Sequence, residues 1–327
     1  MRLIVTRIKN ISLGGLLFMI LNGCEAENSL ESQILSIPMT INIDRFDLKF
    51  HRASSDAIPA LKQAYPYLFP KVFADSVWVN RQKDTLQLML VDTVDEVFPS
   101  MVPLEEELEY LFKHIKYYFP KTKIPKVIGL VNNVDYQSKT IYTDSLLLIS
   151  LDTYFGADHY LYQGISNYVK QEMDAQYLTA HVIDKFSDYK VNPPEDRTLL
   201  SQMIFYGKKL YLKDLLIPNK TNAIKIGYTI DQEEWVRSNE LYMWQFFIEK
   251  QLIYSSDPAL IQRFIDPAPF SKFYLEIDNE SPGGIGKWLG WQIVKSYVEN
   301  NPKVEINKLL SLPAQTIFNK SNYKPRR

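Results

Sequence analysis

Two segments in the first half of the chain carry apolar residues at helical spacing. Residues 84–98 repeat apolar side chains every three to four positions, which predicts an amphipathic helix. Asp84 with Gln87 resembles a capping box at its start, and Pro99 ends it. Residues 104–119 repeat the pattern, with acidic side chains in the first turn where the helix dipole favours them. The expected apolar faces are Leu86, Met89, Leu90, Val94, Val97 and Phe98 in the first helix, and Leu104, Leu108, Leu111, Phe112, Ile115 and Phe119 in the second.

Three short segments predict β-strands. Residues 41–46 alternate between apolar and polar side chains, as a half-buried strand does. The runs KVIGLVN from Lys126 and SLLLISL from Ser145 to Leu151 are nearly continuous in apolar residues and are bounded by polar turns. Such runs are typical of the central strands of a small sheet.

Helical spacing dominates the chain after Asp152. Few strands followed by many helices predict an α+β fold that is mostly helical, with a small sheet in the N-terminal half and a helical C-terminal half. We find no internal repeat. The expected helices cover residues 54–69 and then 162–189, 196–216, 231–254, 257–265, 285–299 and 304–311.

The first residues have the pattern of a secretory signal. Arg2, Arg7 and Lys9 precede an apolar run at residues 11–21. A run of this length is short of the roughly 20 residues that span a bilayer as a helix, so cleavage is favoured over a permanent transmembrane segment.

Cys24 is the only cysteine of the chain, and it follows the apolar run in the sequence LNGC, which resembles a bacterial lipobox. Lipid attachment would remove a thiol that has no partner for a disulfide. We therefore predict a signal peptide at 1–23, a lipidated tether at 24–37 and a single domain at 38–327, with Cys24 as the lipidation site and the membrane as a partner through that lipid. The alternative is an uncleaved anchor followed by an ordinary buried thiol.

Charge argues against a nucleic-acid partner. The full chain has 37 basic and 38 acidic residues and a formal charge of −1. Cleavage before Cys24 removes three of the basic residues and no acidic one, which makes the charge −4. A protein that neutralises phosphates carries an excess of basic residues, so no nucleic acid is expected. Hydrophobic residues make up 46% of the chain, which is enough for a large core.

The segment AHVIDKF at residues 180–186 can be compared with the metal-binding helix of zinc peptidases. Such a helix reads His-Glu-x-x-His, but here Val182 and Lys185 follow His181 in place of the glutamate and the second histidine. His181 and Asp184 form only one ligand pair at i, i+3. We therefore expect neither a metal, nor a cofactor, nor catalytic residues, and interpret His181 as a helix histidine with structural hydrogen bonds. A divergent metallopeptidase is the alternative.

The segment SPGGIGKW from Ser281 departs from a phosphate-binding loop at both ends. Ser281 stands where the first glycine is required, and Trp288 follows Lys287 where a serine or threonine is required. We interpret the segment as a glycine-rich turn that leads into a helix. Gly290 then allows close helix packing or weakens that helix at a modest cost.

Aromatic residues are abundant, with 21 tyrosines and 17 phenylalanines. Tyrosine suits surfaces with one wet end, so a partner surface or a glycan-facing groove is one interpretation, and core filling is the other. A long loop that contains aromatic and acidic residues precedes the glycine-rich turn and the helix after it. Long ordered loops often carry function. The candidate interaction surface consists of Trp288, Trp291, Lys287, Asp278 and Glu280.

Several segments together resemble the GldB gliding-motility lipoproteins of Bacteroidetes. Besides the lipobox they are LFKHIKYYFPK, LLISLDTYFGADH, MIFYGKKLYLKDLLIP, APFSKFYLEIDNESPGGIGKWLGWQIVKSYVENN and SNYKP. The resemblance covers nearly the whole chain after Cys24, and its long C-terminal block is specific. Asn22 is the one departure near the lipobox.

The resemblance implies a zincin-like architecture without the metal-binding motif, and a protein that is not an enzyme. It implies a cell-envelope lipoprotein required for gliding motility, anchored in a membrane and facing the periplasm. Its expected partners are other gliding and type 9 secretion proteins, and its expected role is structural or in assembly. An envelope binding module for peptidoglycan or a partner protein is the alternative from the aromatic residues.

Overall fold

The computed structural model describes residues 29–267, 271–273, 278 and 280–325. Cys24, the predicted signal peptide and the first part of the predicted tether lie outside these residues. The chain divides into two units, Met1–Thr40 and Ile41–Arg327. In the first unit, residues 29–35 form helix α1. All further elements belong to the second unit.

The second unit contains a small sheet followed mostly by helices, as the order of the sequence patterns predicts. Its strands are β1 (Ile43–Arg45), β2 (Lys126–Leu130), β3 (Thr140–Tyr142) and β4 (Leu146–Ser150). Its helices are α2 (Phe46–His51), α3 (Ile58–Ala64), α4 (Asp75–Gln82), α5 (Thr85–Val97), α6 (Val102–Tyr118), α7 (Asn167–Lys170), α8 (Leu178–Ser187), α9 (Leu199–Leu216), α10 (Asn222–Ile226), α11 (Ile230–Ser238), α12 (Glu240–Glu249), α13 (Ala259–Phe264), α14 (Ile285–Asn300), α15 (Ile306–Ser311) and α16 (Ala314–Ser321). The α+β, mostly helical fold class is confirmed.

The four strands form one sheet in the order β1-β2-β4-β3. Strands β1, β2 and β4 are parallel, and β3 is antiparallel to β4. Val127 of β2 pairs with Ile43 on one side and with Leu147 on the other, and all three side chains are buried. Both faces of β2 and β4 are at least partly covered after the exposed Lys126, which explains why these strands are apolar runs rather than alternating strands. The parallel arrangement also brings the carboxyl ends of β1, β2 and β4 to one edge.

Helices α5 and α6 confirm the two amphipathic predictions. The Asp84 side chain accepts a hydrogen bond from the backbone N–H of Gln87, and every predicted apolar residue on α6 is buried. On α5, Leu90 and Val94 are buried as predicted, but Leu86 and Met89 are exposed. That part of the predicted face is wrong because Gln87 takes the inward position, where its amide donates to Asn133 Oδ1.

Helices α9 and α14 pack at unusually close range. A Cβ atom added to Gly290 would lie 1.9 Å from the carbonyl oxygen of Met203, and one added to Gly207 would lie 2.3 Å from the carbonyl oxygen of Gly290. The two glycines therefore let the helix backbones touch. Of the two roles considered for Gly290, close packing is confirmed. The contact lies within a large apolar cluster that includes Ile204, Trp291 and Phe247.

Two long predicted helices are interrupted. Residues 162–189 contain only α7 and α8, because Gly164 has a left-handed φ of 87° and Asp174 starts a new helical turn by accepting from the Gln176 N–H. Residues 231–254 divide at Asn239 into α11 and α12. The region 54–69 holds the shorter α3. Strand β3 and helices α1, α2, α4, α10 and α16 are not among the sequence predictions.

Candidate functional site

His181 lies on α8 in a buried chain of hydrogen bonds. Its Nδ1 is 3.1 Å from the Tyr154 hydroxyl and its Nε2 is 3.0 Å from Glu172 Oε2, and the residue is only 9% exposed. Burial raises the pKa of Tyr154 well above its usual value, so the phenol keeps its proton and donates to Nδ1. Nε2 then carries the ring proton and donates to Glu172. Both ring nitrogens are thus engaged by protein groups.

Burial also affects the charges of the imidazole and of its carboxylate partner, because it disfavours the ionised form of each. Burial lowers the pKa of His181 and outweighs the opposing effect of Glu172, so the ring is neutral near pH 7. For Glu172, burial acts to raise the pKa. The hydrogen bond from His181 and the charges of Lys139 and Lys213 outweigh it, so the pKa of Glu172 is lowered and the carboxylate is ionised.

Gly227 makes room for the carboxylate. Its φ of 84° is left-handed, and an added Cβ would lie 2.7 Å from the carboxyl carbon of Glu172. The turn that ends α10 therefore requires glycine for its conformation and for the space it leaves. Gln171 Nε2 donates to the Gly227 carbonyl at 2.8 Å, which fixes this turn against the Glu172 segment.

Lysines surround the cleft in front of His181. Asp184, one turn further along α8, accepts a hydrogen bond from Lys213 Nζ at 2.9 Å. Lys287 Nζ lies 5.0 Å from the ring centroid of Tyr206, a cation–π contact. Burial lowers the pKa of Lys287. These residues line a cleft of about 300 Å³, which we call the His181 cleft.

The donor set of the His181 cleft fits a metal poorly. The imidazole lone pair at Nδ1 accepts from Tyr154, and the second-histidine position of a zinc-peptidase helix holds Lys185. Asp184 is already paired with a lysine. Within the described ranges, no group of three or more histidine, cysteine, aspartate or glutamate side chains is arranged to hold a metal ion. His181 lies on a helix and has the hydrogen bonds that its interpretation requires, with Tyr154 and Glu172.

Two of the five residues predicted to form an interaction surface are core residues. Trp288 is 3% exposed and Trp291 is fully buried, because α14 lies directly on α9. The indole N–H of Trp288 donates to Glu240 Oε2 at 3.2 Å, and that of Trp291 donates to Asp214 Oδ2 at 2.7 Å. The prediction that these tryptophans face a partner is wrong. Core filling, the other interpretation, describes them.

The remaining three predicted surface residues have different surroundings. Lys287 lines the His181 cleft, whereas Asp278 accepts a hydrogen bond from the backbone N–H of Phe273 at 2.9 Å. Glu280 is exposed. Gly284, with a left-handed φ of 69°, precedes α14, so the glycine-rich segment is the turn into a helix that the sequence predicts.

Sequence reasoning missed Tyr154 and Glu172, and it did not connect Lys213 or Lys287 with His181. These residues come from segments between residues 154 and 287, and no local spacing connects the segments. Only the isolated pair of His181 and Asp184 carried a signal. That signal indicated a helix face, and the side chains that complete the cleft come from α9, α14 and the loop before α8.

The fold and the cleft define a mostly helical α+β protein in which a neutral histidine and an ionised glutamate are enclosed by lysines and tyrosines. The family model described as gliding motility protein GldB matches residues 27–325, and the chain belongs to this family. The short name of that model marks the family as lipoproteins. No curated protein and no solved structure matches the chain. In the part of the chain that the structure describes, no helix combines the length and apolar character needed to cross a bilayer.

Proposed function

We propose that this protein is a lipid-anchored, non-enzymatic structural or assembly component of the gliding-motility and type 9 secretion apparatus. In this proposal Cys24 carries the lipid, and the domain faces the periplasm. Membership of the GldB family supports the link to gliding motility, and the family's short name supports the lipid anchor. The acidic balance of the chain supports protein partners over nucleic acid.

One observation carries the non-enzymatic part of the proposal: protein groups engage both nitrogens of His181. A metallopeptidase helix keeps imidazole lone pairs available for zinc, and a glutamate beside them for water. Here Tyr154 and Glu172 engage the two ring nitrogens, and Lys213 neutralises Asp184. Such a network supports a role in holding α8, α9 and the Glu172 segment together.

A zincin-like ancestry belongs to the same proposal. Helix α8 packs against the sheet through β3, which is where the proposed ancestor would carry its metal-binding helix. The histidine is still present on that helix, whereas Asp184 and Asp188 of the cleft are paired with Lys213 and Lys209. This view predicts that the cleft stabilises the fold rather than serving a reaction.

The test is genetic complementation with two matched variants. Cells that lack the gene would be given wild-type protein, Cys24→Ala or His181→Gln, and spreading on a surface, protein level and membrane fractionation would be measured. We expect Cys24→Ala to lose membrane association and spreading. We expect His181→Gln to spread like wild type once its protein level is matched, because glutamine retains hydrogen-bonding groups.

Zinc content and peptide cleavage by purified protein complete the test. One tightly bound zinc per molecule, with cleavage that disappears in His181→Gln, would overturn the non-enzymatic role. Unchanged membrane association of Cys24→Ala would overturn the lipid anchor. Normal spreading without the gene would overturn the link to motility.

A further inference from the structure

A second cavity lies at the carboxyl ends of the parallel strands, and none of the residues that line it lines the His181 cleft. It has a volume of about 320 Å³, and we call it the strand-end pocket. Residues directly after β1 and β2 form one side of it, including Phe46 and Asn132. The carboxyl edge of parallel strands is where ligands bind in open sheets of this kind. The other lining residues include the apolar or aromatic Phe50, Leu68, Phe73 and Trp78 and the polar or charged Asp47, His51, Arg81 and Gln87.

Three residues that line this pocket each carry a buried polar side-chain atom without a protein partner among the described residues. The atoms are Nε2 of His51, Nε1 of Trp78 and Oε1 of Gln87. Gln87 is only 2% exposed. Arg81 also lines the pocket, and no hydrogen bond of its guanidinium group is found in the same ranges. Buried polar atoms are almost always paired in folded proteins, so three unpaired atoms around one cavity are a site-like feature.

The tautomer of His51 follows from its other nitrogen. Nδ1 lies 2.9 Å from the carbonyl oxygen of Asp47, which only accepts, so Nδ1 carries the proton. Nε2 is then a bare acceptor. Burial lowers the pKa of His51, and the nearby positive charge of Arg81 acts in the same direction, so the ring stays neutral near pH 7. His51 and Gln87 at the pocket wall thus each carry an unpaired acceptor, and Trp78 carries an unpaired N–H donor.

The chain that directly follows Asn132 of the pocket wall forms a strained loop. Asn133 and Val134 have φ values of 55° each, and a left-handed β-branched residue such as Val134 is a rare outlier. Asp152 holds the loop, because its Oδ2 accepts the backbone N–H groups of Asn132 at 2.9 Å and Val134 at 2.7 Å. The Asn133 side-chain oxygen in turn accepts a hydrogen bond from the side-chain amide of Gln87. Strain of this kind clusters at ligand sites, where the surrounding structure enforces it.

We propose that the strand-end pocket binds a small ring-containing carboxylic acid that also bears a hydroxyl group. The ring lies against the aromatic walls of Phe50 and Trp78. The carboxylate pairs with Arg81, since guanidinium groups suit carboxylates. The hydroxyl donates to Nε2 of His51 or Oε1 of Gln87. Pockets of this size with apolar walls and few polar groups are typical of small-molecule sites.

Three related probes test the proposal on the purified full chain. 4-Hydroxyphenylacetate carries the ring, the carboxylate and the hydroxyl, phenylacetate lacks the hydroxyl, and 4-hydroxyphenethyl alcohol lacks the carboxylate. Saturation-transfer NMR would measure the binding of each at millimolar concentrations. We expect 4-hydroxyphenylacetate to bind most tightly, with each missing group weakening binding by about tenfold, because a buried partner is then left unpaired.

Two arginine variants make the test specific. Arg81→Gln removes the proposed carboxylate partner, whereas Arg52→Gln removes an exposed arginine paired with Asp95. We expect Arg81→Gln to weaken binding of 4-hydroxyphenylacetate about tenfold and to leave the neutral alcohol unchanged. We expect Arg52→Gln to change neither.

Nitrogen NMR of labelled histidine gives a second readout. The chain has four histidines, so His51→Gln assigns the Nε2 resonance of His51. We expect a hydroxyl-bearing probe to shift this resonance, and phenylacetate to leave it nearly unchanged. Absence of binding by all three probes would overturn the proposal. Equal binding of the three, or equal effects of the two arginine variants, would do the same.

Discussion

The contact between α9 and α14 and the strand-end pocket handle polar and apolar groups in opposite ways. At the helix contact, an added methyl group at Gly290 would lie 1.9 Å from a backbone oxygen, and the buried indole of Trp291 donates to Asp214. At the strand ends there is a cavity of about 320 Å³, and the indole N–H of Trp78 has no partner in the described part of the chain. One region is filled and hydrogen-bonded, and the other retains space and unused donors and acceptors.

This difference separates residues that stabilise from residues that are available for binding. Close packing and paired polar groups add to the free energy of unfolding, whereas unpaired buried atoms reduce it. A protein tolerates such a loss where a site requires it. The helix contact therefore belongs to the scaffold, and the strand-end pocket is the better candidate for a ligand. The His181 cleft lies between these extremes, because His181 is satisfied while Lys287 makes only a ring contact among the described residues.

The largest expected effect breaks the filled side of the comparison. Gly290→Ala places a methyl group inside van der Waals contact with rigid backbone, so we expect the free energy of unfolding to fall by about 4 kcal/mol. Gly164→Ala is the matched control. Gly164 has a left-handed φ, which Gly290 does not, but nothing lies within 4 Å of an added Cβ, so the loss should be about 1 kcal/mol. Urea unfolding measures both. Equal losses would mean that α9 and α14 are not in close contact.

The next effect concerns the aspartate that holds the pocket loop. Burial raises the pKa of Asp152 from 3.8 to about 6, against the opposing hydrogen bonds from Val134 and Asn132. Between these two values, the native state binds a proton that the unfolded chain has released. The contribution of Asp152 to stability is therefore fully present below pH 4, decreases as the pH rises through 6, and totals on the order of 3 kcal/mol.

Asp152→Asn isolates this pH dependence. Asparagine retains an acceptor for the two backbone N–H groups but does not titrate in this window. Urea unfolding of wild type and variant should be measured from pH 4 to pH 7.5. The free energy of unfolding of the variant should increase relative to that of wild type as the pH rises. Parallel pH curves would mean that Asp152 titrates near its usual value.

The smallest effect compares one chemical change in both regions. Trp291→Phe removes a donor from Asp214, so we expect a loss of about 1–3 kcal/mol in the free energy of unfolding. Trp78→Phe removes an N–H that bonds to no described protein group, so only the packing of the larger ring on Phe50, Phe69 and Phe73 is lost. We therefore expect a smaller loss of about 0.5–1 kcal/mol. Thermal unfolding of the two variants provides the comparison. A loss at Trp78 as large as that at Trp291 would show that the pocket indole is bonded in solution.

Local pattern predicted the elements that depend on local physics. The apolar face of α6 is correct in full because its period is the helical period and its partners lie on one side. Strands β2 and β4 are correct because continuous apolar runs require burial on both faces. The absence of a second histidine beside His181 was also readable, since helix geometry fixes which positions share a face.

Tertiary contacts were needed wherever the chain returns to itself. A tryptophan side chain suits both a core and a partner surface, so the sequence of α14 does not decide between them. Only the position of α9 shows that Trp288 and Trp291 are buried. Phe46, Asn132 and Asp152 follow β1, β2 and β4, and the parallel pairing of these strands brings them to one edge. Trp78 of α4 and Gln87 of α5 join Phe46 and Asn132 around the pocket there. Periodicity records which face of an element is buried, but long-range pairing determines what covers that face and which polar atoms are left without a partner.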